Sequence, residues 1–176
     1  MRHLFFALSP APALRARIAA EARRLHATWG GRATAPEKVH MTLRFLDAFP
    51  DPLPPDIVAA ARAAGDAIEA RAFELVLDQA GHFGRRVAWL GCSRPPEALV
   101  ALHGDLTSAC AARGVPMRRE DGFVPHVTVA REPRHPAPEA IASMAWAADE
   151  FVLMASAPGA YEVLGAWRLR APGEGA

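Results

Sequence analysis

Cysteine is nearly absent: Cys92 and Cys110 are the only two in 176 residues. That scarcity excludes a disulfide framework and every cysteine-based metal spacing, and it leaves two buried thiols as the expectation. An excess of charge of one sign is missing too. Twenty Lys and Arg against 19 Asp and Glu leave a net +1, which argues against broad, non-specific duplex binding while allowing a local basic patch. No apolar run approaches the roughly 20 residues needed to cross a membrane, so no membrane partner is expected. The opening MRHLFFALSP is broken by Ser9-Pro10 too soon for a signal peptide. A cytoplasmic, reducing setting and a monomer follow as expectations.

What is present reads as an ordinary globular chain, 51% hydrophobic and 22% charged. The length predicts a single domain over 1–170, or two lobes fused into one, with 171–176 as a flexible tail. The apolar stretch 3–8 predicts a buried strand, and Leu14, Ile18, Ala22 and Leu25 recur at helical steps within a predicted helix over 14–29. Strands are predicted over 39–46, 73–80, 86–92, 123–130, 151–155 and 161–169. Helices are predicted over 56–71, 95–113 and 136–148. Strand pairs this close in sequence leave no room for parallel crossovers, so the fold class is α+β with antiparallel sheets flanked by helices. Each half contains a helix followed by a similar strand, which predicts two pseudo-symmetric lobes with a cleft between them.

Those strands carry the chemistry. VHMTLRF at 39–45 has a near-copy, PHVTVAR, at 125–131. Chance placement expects far fewer than one His-x-Thr in a chain with 7 His, yet two occur in apolar strand contexts. Strand alternation puts His40 and Thr42 on one face with Arg44 continuing the row, while Met41, Leu43 and Phe45 anchor the other. His126 and Thr128 likewise share a face opposite Val127 and Val129. Histidine serves as general acid or base near neutrality. Two of them flanking a reacting atom can take one proton and give another, while Thr hydroxyls donate to anionic oxygens. A phosphate group suits this arrangement. Zinc suits it less, because two His with two Thr lack the remaining ligands and no carboxylate lies in either motif. No metal or other cofactor is expected. The remaining histidines, His3, His26, His82, His103 and His135, are expected at the surface or as caps.

The two blocks resemble the paired signatures of the two-histidine (2H) phosphoesterases, in particular their RNA 2′,3′-cyclic phosphodiesterase, or 2′-5′ RNA ligase, branch. LFFAL, PEKVHMTLRFL, GHFGRRVAWLG, FVPHVTVARE and YEVLGAWRL follow in the family's order, with Asp47 departing from its usual Gly. The resemblance implies hydrolysis of an RNA or nucleoside 2′,3′-cyclic phosphate end to a 2′-phosphomonoester. His126 would be the general base, His40 the general acid, and Thr42 and Thr128 the holders of the non-bridging oxygens. Arg131 resembles a position that contacts substrate, although strict alternation lets it reach the cleft only through a bulge or strand end. Arg44 could supply charge, and Phe83, beside Arg85 and Arg86, is a candidate platform for a base. The alternatives are ligation of a cyclic-phosphate end to a 5′-hydroxyl, action on a small cyclic nucleotide, and a non-catalytic RNA- or nucleotide-binding module.

Overall fold

Alternating apolar residues build one continuous sheet, as seen in the computed structural model, which describes residues 1–171. The elements in chain order are β1 (Arg2–Leu8), α1 (Pro12–Trp29), β2 (Arg32–Ala33), a 3-10 turn (Pro36–Lys38), β3 (Met41–Phe49), α2 (Pro55–Asp66), β4 (Phe73–Phe83), β5 (Val87–Gly91), α3 (Glu97–Ala112), β6 (His126–Arg131), β7 (Glu139–Ala148), β8 (Glu150–Ala157) and β9 (Ala160–Arg168). The strand order is β7-β4-β5-β6-β3-β1-β8-β9, with short β2 also paired to β6. Every pairing between these strands is antiparallel, as the α+β reading expects.

The order divides into two matching halves. β6, β5, β4 and β7 form one, and β3, β1, β8 and β9 the other. Among the described residues the halves meet through a single residue pair, Met41 opposite Val127. The expected pair of lobes is therefore two four-stranded halves of one sheet, and both His-x-Thr segments lie at the seam.

One face of the sheet carries the helices. Leu4, Phe6, Met41, Leu43 and Val127 pack there with Ile18 and Leu25 of α1, Ala61 of α2, and Leu99, Leu102 and Leu106 of α3. Proline at the first turn of α1 and of α2 costs no hydrogen bond, since those N–H groups have no intrahelical partner. A small second cluster of Phe5, Ala7, Val152 and Met154 lies on the other face of the β1–β8 half, with Phe45 and Tyr161 against it. Both cysteines are buried and free. Burial pushes each thiol up to about 11, so neither is a ready nucleophile.

Two expectations need correction. The helix predicted over 136–148 is strand β7, paired along β4. Met144, Trp146 and Ala148 turn inward at a period of two, but intervening alanines hid that period and favoured a helical reading. The helix predicted over 56–71 stops at Asp66. Residues 70–72 are drawn to the chain's far end, where the Arg170 N–H donates to Ala70 O and the Ala72 N–H to Arg170 O. Of the predicted tail over 171–176, only Ala171 lies within the described residues.

Close packing in the β4–β5 hairpin depends on glycine. A Cβ at Gly81 would meet the Trp89 indole at 2.3 Å, a contact that only displacement of the ring can relieve. Gly81→Ala is expected to lower unfolding free energy by about 1–3 kcal/mol, read as a lower denaturant midpoint; an unchanged midpoint would show that Trp89 can move freely.

Candidate active site

The seam register dictates the arrangement. Continuing outward from Met41 opposite Val127 sets His40 across from Thr128 and Thr42 across from His126. Alternation turns all four side chains away from buried Met41 and Val127, so they share one face. They occupy the corners of a square, with the histidines on one diagonal and the threonines on the other. Each imidazole is held in the same way. His40 Nδ1 lies 2.8 Å from Lys38 O, and His126 Nδ1 lies 2.7 Å from Val124 O. A carbonyl can only accept, so Nδ1 carries the proton in both rings, and Nε2 is left as acceptor when neutral or donor when protonated.

Two bulges then redirect the strands. Along β3 the pairing with β1 skips Leu43, and along β6 the pairing with β5 skips Val129. Each extra residue sits just after its Thr and shifts the alternation by one. Leu43 and Arg44 consequently both turn inward, and so do Val129 and Ala130. The next residue in each strand, Phe45 in β3 and Arg131 in β6, emerges into the cleft. Arg131 thus reaches the cleft by the bulge that its position required. Arg44 does not: it is 6% exposed and lies behind the strand, contrary to the expectation that it shares the His40 face. Phe45, expected in the core, takes a place in the cleft wall.

The cleft occupies about 670 Å³ and is lined by the four seam residues together with side chains from both halves. His3, Phe5, Phe45, Arg118, Ser156 and Tyr161 belong to the β1–β3–β8 side or its adjoining loop. Arg32, Thr34, Val87 and Arg131 belong to the β5–β6–β2 side, and Lys38 comes from the 3-10 turn, which packs on α1 and β9. His3 was expected merely at the surface, yet it packs 5.6 Å from the Phe45 ring. Asp47 holds Arg118 at 3.3 Å, and Arg118 lies over Phe45 at 5.1 Å, so this departure from the family pattern reaches the cleft rim.

Aromatic rings brace each imidazole. His40 stacks on Phe5 at 4.9 Å and meets the edge of Tyr161 at 5.1 Å. His126 meets Phe83 edge-on at 4.9 Å and Trp89 at 6.5 Å. Phe83 is therefore a support for His126, itself packed on Trp89 at 5.5 Å, and it does not line the cleft as a platform. Phe5, Phe45, Tyr161, Lys38 and Arg32 went unnoticed in the sequence because neither spacing nor motif sets them apart. Repeating the Arg131 offset from the first Thr would have pointed to Phe45.

Burial lowers the pKa of both catalytic candidates below the ordinary 6.5 of histidine, and in each the carbonyl bond at Nδ1 opposes it. His40 is lowered further by the charges of His126, Arg131 and Arg15. Burial raises the Tyr161 hydroxyl, so it stays a neutral donor. Among the described residues no group of three or more His, Cys, Asp or Glu side chains is gathered to hold a metal, and no helix is long and apolar enough to cross a membrane.

Comparison with known proteins places this arrangement in context. A sequence model described as the 2′-5′ RNA ligase superfamily matches residues 10–159. The RNA 2′,3′-cyclic phosphodiesterase of Escherichia coli (strain K12) is 31% identical over 162 residues, covering 88% of this chain and 87% of that protein. The crystal structure of E. coli LigT in apo form superposes with a TM-score of 0.81 at 31% identity, over 96% of this chain and 98% of that one. The crystal structure of E. coli LigT complexed with 3′-AMP gives 0.79 at 30% identity over the same shares, 96% and 98%.

Behind β3, Arg44 anchors the chain that follows α3. It donates to Arg118 O at 2.8 Å, touches Met117 Sδ at 3.3 Å and pairs with Glu120. His103, also expected at the surface, accompanies it. Its Nδ1 lies 3.0 Å from the carbonyl of bulged Leu43, and its ring stacks on Phe123 at 4.1 Å. The cluster thus satisfies the polar groups exposed by the bulge and ties down the segment leading to Val124 and His126. Arg44 is buried but Glu120 reaches solvent, with its side chain 28% exposed, so removing Glu120 strands the arginine beside an open edge, a loss of about 1–3 kcal/mol. Glu120→Ala is expected to cost that much in urea unfolding, and the double change Arg44→Met, Glu120→Leu markedly less. A neutral Glu120→Ala would show that Arg44 finds water instead.

Proposed function

The chain belongs to the 2′-5′ RNA ligase superfamily, and on that premise we propose that it hydrolyses 2′,3′-cyclic phosphate ends of RNA to 2′-phosphomonoesters without a metal. The observation that carries this reading is the square at the seam. Two imidazoles, each held through Nδ1 by the carbonyl two residues upstream, present free Nε2 atoms from opposite corners, and two hydroxyls fill the other corners.

A cyclic phosphate bound over the square would turn its non-bridging oxygens to Thr42 and Thr128, with charge-assisted bonds worth about 1.5–3 kcal/mol each. The two in-line positions then fall toward the histidines. His126 Nε2 takes a proton from water as the water oxygen attacks phosphorus. His40, protonated at Nε2, gives its proton to the departing 3′-oxygen. Arg131 adds positive charge as the anionic transition state forms. One observation favours the exchanged assignment: cationic neighbours disfavour protonated His40 but not His126, which makes His40 the readier base in the empty site. The pH limbs of the two single variants decide between them.

His40→Ala and His126→Ala should each reduce kcat by roughly 10²–10⁴-fold. The double variant should lose far less than the product, because the pair acts as one unit. Near-normal turnover in either single variant would remove the pair from the mechanism. Activity should survive exhaustive chelation; its loss in chelator and return with zinc or magnesium would overturn the metal-free reading.

The lowered pKa values set the pH dependence. In the free protein one ring must be neutral and the other protonated, and both pKa values lie below 6.5. The bell of kcat/KM should therefore peak on the acid side of neutrality. A bound anionic phosphate favours both imidazolium forms and raises both pKa values, so the kcat bell should lie at higher pH. With His126 as base, His126→Ala should abolish the acidic limb and His40→Ala the basic limb. Exchanged limbs would reverse the assignment, and a flat wild-type profile would exclude acid–base catalysis by these residues.

A further inference from the structure

Although the two halves match in topology, the cleft between them is not symmetric. β3 and β6 run antiparallel through the seam, so the residues exposed by their bulges lie at opposite ends of the cleft. At one end the side chain is Phe45, and at the other it is Arg131. The surroundings amplify this difference.

At the Phe45 end, the sheet face below is apolar: Phe5, Ala7, Val152 and Met154 form a cluster with Phe45 and Tyr161 packed against it. The nearby cations Arg118 and Arg2 each have a carboxylate partner, Asp47 and Glu162, although the Arg118 pair is solvent-exposed and holds weakly. The Arg131 end is the reverse. Arg32 of β2 is the register partner of Arg131 on one side, and Val87 of β5 is its partner on the other. The Arg86 carbonyl accepts the Glu132 N–H at 3.0 Å, so Arg86 and Arg85 follow just beyond the lining residue Val87, both exposed. Lys38 adds a further cation in the cleft wall. Among the described residues only Arg32 in this group has an acidic partner, Glu132 at 3.1 Å, and that pair is solvent-exposed at 71% and 69%, where such pairs hold weakly. The 3-10 turn adds one more exposed carboxylate, Glu37. The side chains of four cations, Lys38, Arg85, Arg86 and Arg131, therefore remain without a hydrogen-bonded or paired partner, in a protein whose net charge is only +1.

Resting on the phosphodiesterase reading, we infer that the cleft binds its RNA with a fixed polarity and is built for a strand longer than one nucleotide. The base of the terminal nucleoside stacks on Phe45, with Arg118 on its outer face. The phosphodiesters upstream of the cyclic phosphate pass over the rim of Arg32, Arg85, Arg86 and Arg131. Stacking is sequence-tolerant, and cations track the backbone, so the site recognises an end and a direction of approach with little demand on sequence. The seam histidines lie between these two ends, where the terminal ribose must place its phosphate if both are engaged.

The test compares one nucleoside 2′,3′-cyclic phosphate with a hexaribonucleotide carrying the same end. For wild type, kcat/KM should be higher for the hexamer. Its advantage should fall about sevenfold between 50 and 200 mM salt if two upstream phosphates are contacted, from a slope of about −0.7 per contact for single strands. The double variant Arg85→Ala, Arg86→Ala should lose most of that advantage and flatten its salt dependence. Phe45→Ala should instead lower both substrates by a similar factor, on the order of tenfold, leaving their ratio intact; circular dichroism and thermal melting establish that both variants fold. Equal kcat/KM for the two substrates in wild type, or a hexamer advantage that survives the arginine variant, would overturn the inference. Should wild type hydrolyse neither substrate, the phosphodiesterase reading fails. The salt slope of hexamer binding at equilibrium then decides the rim: a slope lost in the arginine variant supports it, and a wild-type slope near zero overturns it.

Discussion

A single backbone contact organises this protein. Met41 faces Val127 where two four-stranded half-sheets meet, and everything at the site is counted from that pair. Its register puts each histidine across from the other strand's threonine. Its antiparallel sense sends the two strands away in opposite directions, opening a cleft instead of extending a ladder. Because side chains alternate with a period of two, a slip of one residue would turn all four polar groups into the core. The apolar partners Met41, Leu43, Val127 and Val129, all fully or almost fully buried, make such a slip costly. Burial on the helix face thus holds the chemistry on the other face.

The bulges belong to the same design. One extra residue after each Thr ends the alternation that makes the square and brings a new side chain into the cleft three positions later. In β3 this is accommodated behind the strand, where His103 bonds to the Leu43 carbonyl and Arg44 binds Arg118 O and Glu120. An ionic cluster beneath an enzyme-like cleft is easily mistaken for part of the chemistry. Here its contacts face the loop that carries Arg118 and leads to Val124, so it acts on geometry.

The electrostatics follow from how the imidazoles are supported. Aromatic rings on both sides remove water and lower the histidine pKa values, while one carbonyl bond per ring limits the fall and orients Nε2. Two imidazoles whose pKa values burial lowers fit the proposed chemistry, because an arriving phosphate anion would itself favour the proton that one of them has to carry.

Much was legible in the sequence. The doubled His-x-Thr, its apolar flanks and the scarcity of cysteine determined the fold class, the resemblance to the two-histidine phosphoesterases and the four seam residues, because alternation along a strand is a local property. Where local pattern and local propensity disagreed, as in the alanine-rich β7, the reading failed, since only pairing with β4 selects strand over helix there. What lay beyond the sequence was decided by tertiary contacts. Whether Arg44 or Phe45 enters the cleft depends on a bulge, and the bulge exists because of how β3 pairs with β1. Phe83 supports His126 only because β4 runs on to Phe83, beyond the strand predicted over 73–80. The unequal ends of the cleft arise because β2 adds Arg32 beside Arg131, whereas the opposite end receives Tyr161 from β9 and an arginine already held by Asp47. Each of these depends on which strand becomes whose neighbour, and the order of residues along one strand does not contain that information.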